Sequence, residues 1–94
     1  MKSINKNFGL LVRNHRLARG FSQGDLAKKL GYTTPQFVSI MERGESKIPL
    51  DTLGELIVIL GLPEKELHES LLAATEAEIT RKFSSGKKRA KGKR

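Results

Sequence analysis

Catalysis by side chains needs a nucleophile beside a base, a pair of carboxylates sharing a site, a glycine-rich phosphate loop or a cluster of metal ligands. The 94-residue chain offers none of these patterns: it has no cysteine, and His15 and His68 are its only imidazoles. Enzyme activity, disulfides, a metal site and a bound cofactor are therefore not expected. What the side chains can do is neutralise charge. There are 18 Lys/Arg against 10 Asp/Glu, a formal net charge of +8, and a pI near 10.1, a balance that favours a polyanionic partner.

These charges are laid out in blocks. Residues 1–44 carry eight basic side chains against Asp25 and Glu42, residues 45–83 carry four against eight acids, and residues 84–94 carry six and no acid. A basic front, an acidic back and a basic tail describe a molecule with one face turned to nucleic acid.

The elements that must position this face are all helical. From Asn5 to Arg19 the apolar residues Phe8, Leu11, Val12 and Leu17 alternate with arginines at helical spacing, and Gly20 stops the run. Ser22 and Asp25 have the spacing of a capping box for a second helix, Gln23 to Leu30, which Gly31 ends. Thr33 and Gln36 have the same spacing for a third, running to Arg43 before Gly44, with Pro35 in its first turn and Phe37 joining Val38 and Met41 in the core. Pro49 opens a fourth helix with Leu53, Leu56, Ile57 and Leu60 in its stripe, up to Gly61. Pro63 opens the longest, Glu64 to about Phe83, with Leu67, Leu71, Leu72, Ile79 and Phe83 turned inward or towards a partner. No strand-like alternation and no repeat appears. Ser84 to Arg94 has no bulky apolar group to repay the entropy of ordering, so a disordered basic tail is expected.

The expected fold class is all-α. It comprises a five-helix helix-turn-helix domain over 1–83, with the helix-turn-helix at 21–44 and the C-terminal helix at 63–83, followed by the tail at 84–94.

Two short helices joined by a glycine turn are a weak signal alone, but particular residues make it specific. Arg13, Arg16, Gly20 to Gln23 (GFSQ), Asp25 to Gly31 (DLAKKLG), Glu42 to Gly44 (ERG), Pro49 and Asp51 to Leu53 (DTL) resemble the Cro and phage-repressor, or lambda-repressor-like, class of helix-turn-helix proteins. The resemblance spans Phe8 to Leu62. It implies double-stranded DNA as partner, with Gln23 on a phosphate at the start of the second helix. It also implies base reading by Thr33, Thr34, Gln36 and Ile40: glutamine pairs with adenine N6 and N7, and threonine and isoleucine methyls lie against thymine methyls. Ser39, Arg43 and Lys47 fall where the family contacts phosphates or groove edges. Arg16 and Glu42 match a family ion pair that bridges the first helix to the end of the third. Between Gly31 and Gly44 the chain is one residue longer than the common pattern, which places an insertion near Thr34 and Pro35.

Val58, Ile57 and Ile59 make the fourth helix greasier than a monomer needs, and the fifth helix offers cover either within one chain or across a two-fold axis; a homodimer is expected, with recognition helices about 34 Å apart on a palindromic operator. Lys87, Lys88 and Arg89 are read as phosphate contacts of the tail. The expected role is a transcriptional regulator of the repressor kind. Two alternatives stand beside it: an antitoxin whose fifth helix and tail grip a toxin, and a sequence-indifferent nucleoid protein. Met1 to Phe8 lacks the apolar core of a signal peptide, and the longest apolar run, Leu56 to Leu60, is far short of a membrane span. A soluble, cytoplasmic, nucleoid-associated protein without a membrane partner is the expectation.

Overall fold

A computed structural model describes residues 2–92, with side chains from residue 4. Five helices follow one another: α1 (Lys2–Ala18), α2 (Gln23–Lys29), α3 (Gln36–Glu42), α4 (Leu50–Leu60) and α5 (Glu64–Gly92). Among the described residues there is no strand, and no helix is long and apolar enough to cross a membrane.

Local chemistry sets the helix ends. At α2 the Ser22 hydroxyl accepts from the Asp25 N–H at 2.9 Å, and the Asp25 carboxylate accepts from the Ser22 N–H at 2.9 Å. This is the expected capping box, and the hydrogen bond from the Ser22 N–H, helped by the Ser22 side chain, holds the Asp25 carboxyl below its ordinary value. α2 ends at Gly31 (φ 88°), where the Tyr32 N–H donates back to the Ala27 carbonyl at 2.9 Å and the Gly31 N–H to that of Lys28 at 3.0 Å. Only a left-handed residue allows this closure, which turns the chain sharply towards α3.

The start of α3 differs from the expected capping box. Pro35 occupies the cap position and no side chain caps the helix. For Thr33 to cap, Thr34 would have to be helical, and the ring of the following proline disfavours that conformation. In the turn ahead of α3 the Tyr32 ring stacks on that of Phe37, with centroids 4.5 Å apart. Phe37 is half-buried against the core, while Val38 and Met41 are wholly inside.

The core is centred on Val12, Leu26, Val38, Met41, Leu56 and Leu60, with Phe8, Ala27, Ile48, Leu53, Leu62 and Leu67 around them. One expected core position moves. Leu17 is 53 % exposed, and the buried row on that helix is Phe8, Gly9, Val12 and Arg16. That row has strict helical spacing, with an arginine occupying its last place.

The tail is also corrected. Ser84 to Gly92 continue α5 as helix instead of leaving it disordered, and Lys93 and Arg94 lie outside the described residues. Once a helix is nucleated, each further residue costs far less than starting one, and lysine, arginine and alanine are good helix formers. Their positive charges also suit the negative end of the helix dipole. With 29 residues α5 is about 43 Å long. Only its first part is anchored: Leu67 is buried and Leu71 half-buried, whereas Leu72, Ile79 and Phe83 are exposed. The long dimension of the molecule, 59 Å against 26 and 18 Å, reflects this projection.

Candidate nucleic-acid interface

Any reading of base edges by α3 depends on how firmly that helix is held, and its C-terminal end is tied to two other helices through one carboxylate. Glu42, 8 % exposed, accepts from Arg16 Nε at 2.6 Å and Arg16 Nη2 at 3.0 Å. It also accepts from Gln23 Nε2 at 3.1 Å. The remaining Arg16 donor, Nη1, reaches the Phe21 carbonyl at 2.8 Å. One fork-shaped guanidinium thus joins α1, the turn into α2 and α3. Glu42 raises the Arg16 pKa above its ordinary value, chiefly through the hydrogen bond. The expected ion pair is present, and Gln23 is drawn into it.

Backbone contact completes the joint. A Cβ on Gly9 would sit 2.7 Å from the Glu42 carbonyl oxygen, and one on Gly44 would sit 2.7 Å from Lys6 Cα. α1 therefore meets the end of α3 without intervening side chains. The resemblance supplied the arginine and glutamate, whereas Gly9 was missed: a glycine within a helix shows its reason only once the neighbouring backbone is in place.

Outside this joint, the expected contact residues fall on or beside α3. Gln36 is exposed in its first turn, Ser39 and Ile40 are half-exposed one turn on, and Arg43 is exposed at the end. These positions lie three, four and seven residues apart and so share one face. Thr33 and Thr34 are exposed in the preceding turn and not in the helix. Lys47 is exposed in the loop beyond, at the rim of an apolar cleft lined by Ile4, Phe8, Ile48, Leu50 and Leu71. Gln23 is half-exposed and already engaged with Glu42. Lys87, Lys88 and Arg89 are exposed on the last turns of α5, remote in sequence from this group. Among the described residues no three His, Asp or Glu side chains converge on a point where a cation could sit.

Arg43 is held by its neighbours. Its Nε and Nη2 donate to the Glu45 carboxylate at 2.7 and 3.2 Å, and Nη1 donates to the Ser39 hydroxyl. The hydrogen bonds from Arg43 hold the Glu45 carboxyl below its usual range. Glu45 therefore occupies the donors that a phosphate would use, and it was not singled out in the sequence because a lone surface acid carries no spacing signal. Removing it with Glu45→Gln is expected to free Arg43 and steepen the salt dependence of DNA binding by about one phosphate contact, a change of about 0.9 in log–log slope. Arg43→Ala made in the Glu45→Gln background should take that increase away. Titration of both variants at several salt concentrations checks this, and a Glu45→Gln slope equal to the parent's would mean that Arg43 does not reach the backbone.

The helix-turn-helix family model matches residues 12–67, more than half of the chain. The match runs from within α1, through α2, α3 and α4, to the first turn of α5. The chain belongs to this family, in its Cro and phage-repressor form, and is a DNA-binding helix-turn-helix protein. Neither a curated protein nor a solved structure matches it.

Proposed function

We propose that the chain is a sequence-specific transcriptional regulator that binds DNA as a homodimer, each protomer laying α3 in the major groove of one half of a palindromic site. The observation that carries this reading is Gln36. It is exposed in the first turn of a helix whose other end is fixed through Glu42 to α1 and α2. A carboxamide held there can pair with adenine N6 and N7 in two-point fashion, and the half-exposed Ile40 methyls one turn on suit a thymine methyl. Thr33 and Thr34 approach from the turn, while Ser39, Arg43 and Lys47 set the register on the backbone. Gln23 adds a phosphate contact with its second N–H, the first being committed to Glu42.

Selection from a random DNA pool tests the reading. A palindromic consensus with fixed half-site spacing is the expected result. Gln36→Ala should lose about 1–3 kcal/mol of discrimination at one base pair of each half-site. Equal affinity for selected and random DNA would instead make the protein a sequence-indifferent binder.

A further inference from the structure

The projecting part of α5 carries two patterns that the DNA-binding reading leaves unused. Residues 72, 76, 79, 83, 86 and 90 follow one another at alternating intervals of four and three, the spacing of a heptad seam. They are Leu72, Glu76, Ile79, Phe83, Gly86 and Ala90. Leu72 is 60 %, Ile79 46 % and Phe83 66 % exposed. The residues through which α5 packs on its own domain, Leu67 and Leu71, lie on another side of the helix, more than a quarter turn from this row. The apolar seam therefore faces away from the domain that bears it.

The second pattern is charge. Among the described residues, the ion pairs of α5 are confined to its middle, where Glu78 meets Arg81 at 2.7 Å and Lys82 at 3.6 Å. Glu64, Glu66, Glu69 and Glu76 in the first half, and Lys87, Lys88, Arg89 and Lys91 in the last turns, are exposed and make no ion pair within the described chain. The helix is acidic at one end and basic at the other.

We propose that this face of α5 pairs antiparallel with the same face of a second copy of the chain. This rests on the dimeric reading above and specifies its surface and direction. A two-fold axis between Ala77 and Glu78 sets Leu72 against the partner's Phe83 and Glu76 against the partner's Ile79, with Glu76 within a turn of the partner's Lys82. The same register sets Glu64 level with the partner's Lys91 and Glu66 level with the partner's Arg89, within a turn of the partner's Lys87. A parallel pair would put basic end beside basic end and Glu76 beside its own copy, so like-charge repulsion selects the antiparallel direction. Each domain then sits on the outer side of the pair. The pairing also covers the stretch Ser84 to Gly92, which contains two glycines and two serines and has no core of its own.

Since the chain has no cysteine, single thiols report the register directly. Leu72→Cys and Phe83→Cys, made separately in the full chain and mixed without DNA, should crosslink to each other through a disulfide or a short bismaleimide, while each alone gives little crosslink. Efficient crosslinking of L72C to itself would overturn the antiparallel direction. A dimer by sedimentation equilibrium at tens of micromolar that forms no 72–83 crosslink would overturn this surface while leaving dimerisation standing, whereas a strictly monomeric mass would sink both. As a second arm, Glu66→Lys should weaken self-association several-fold and the charge swap E66K/K87E should restore it. If K87E weakens DNA binding with self-association unchanged, the basic turns serve DNA and the pairing fails.

Discussion

Arg16→Ala is expected to lower the stability of the domain by about 3–5 kcal/mol, because it strands the buried Glu42 carboxylate with Gln23 as its remaining donor. Both side chains are nearly inaccessible, at 8 % for Arg16 and 4 % for Glu42, so water cannot replace the lost guanidinium. For a domain of this size the melting temperature should fall by on the order of 20 °C. Such a loss does not by itself show what the pair is for, since breaking one partner of any buried pair is costly. The informative companion is Arg16→Met with Glu42→Leu, which removes both charges and keeps the volume. Buried ion pairs are often replaced by apolar groups at little net cost, so this double variant should melt close to the parent. It should nevertheless bind DNA more weakly, because α3 loses the three directed hydrogen bonds that fix its end. Parent-like DNA affinity in the double variant would make the pair a stability feature only. An unchanged melting temperature in Arg16→Ala would remove the pair from the account altogether.

Which parts of this arrangement could be read from the sequence follows the range of the forces involved. Ser22 with Asp25, and the glycines after α1, α2, α3 and α4, act within a few residues, so their spacing is enough; all four of those glycines have positive φ, from 70° to 88°. Arg16 and Glu42 are 26 residues apart, and only a family resemblance could join them. Where the expectation failed, a competing short-range rule or an absent neighbour was responsible. Thr33 has the capping spacing, but Pro35 disfavours the helical conformation at Thr34 that a Thr33 cap requires. Leu17 fits a helical stripe, yet the domain presents no surface for it to cover, and Arg16 takes the buried place beside it. The tail lacks apolar groups, which argued for disorder. It continues α5 because propagation from an existing helix is cheap. On α3, the residues picked out by the resemblance, Gln36, Ser39, Ile40 and Arg43, are exposed or half-exposed, whereas Glu45 and Gly9 become meaningful only through what lies against them in space.

Gly9 carries the second large effect. In the interior of a helix, glycine to alanine ordinarily stabilises by about 1 kcal/mol, because glycine is the poorer helix former. Gly54 in α4 meets the conditions for that gain: it is exposed, and a Cβ there would have nothing within 4 Å. Gly54→Ala is therefore expected to raise the melting temperature by a few degrees. At Gly9 the same methyl group would press on the backbone of Met41 and Glu42, 2.7 Å from the Glu42 carbonyl oxygen and 2.9 Å from its carbon. Backbone cannot rotate aside as a side chain can, so α1 and α3 must move apart. Overpacking of this kind costs about 1–3 kcal/mol, enough to outweigh the helix-forming gain. The displacement falls on the residue that anchors the end of α3, so Gly9→Ala should lower DNA affinity in the folded protein as well as the melting temperature. Gly54→Ala, measured side by side, should leave affinity unchanged. If Gly9→Ala were as stable as the parent and bound DNA as tightly, the close backbone approach of α1 to the end of α3 would be wrong, and with it the proposal that this joint sets the angle at which α3 is presented to DNA.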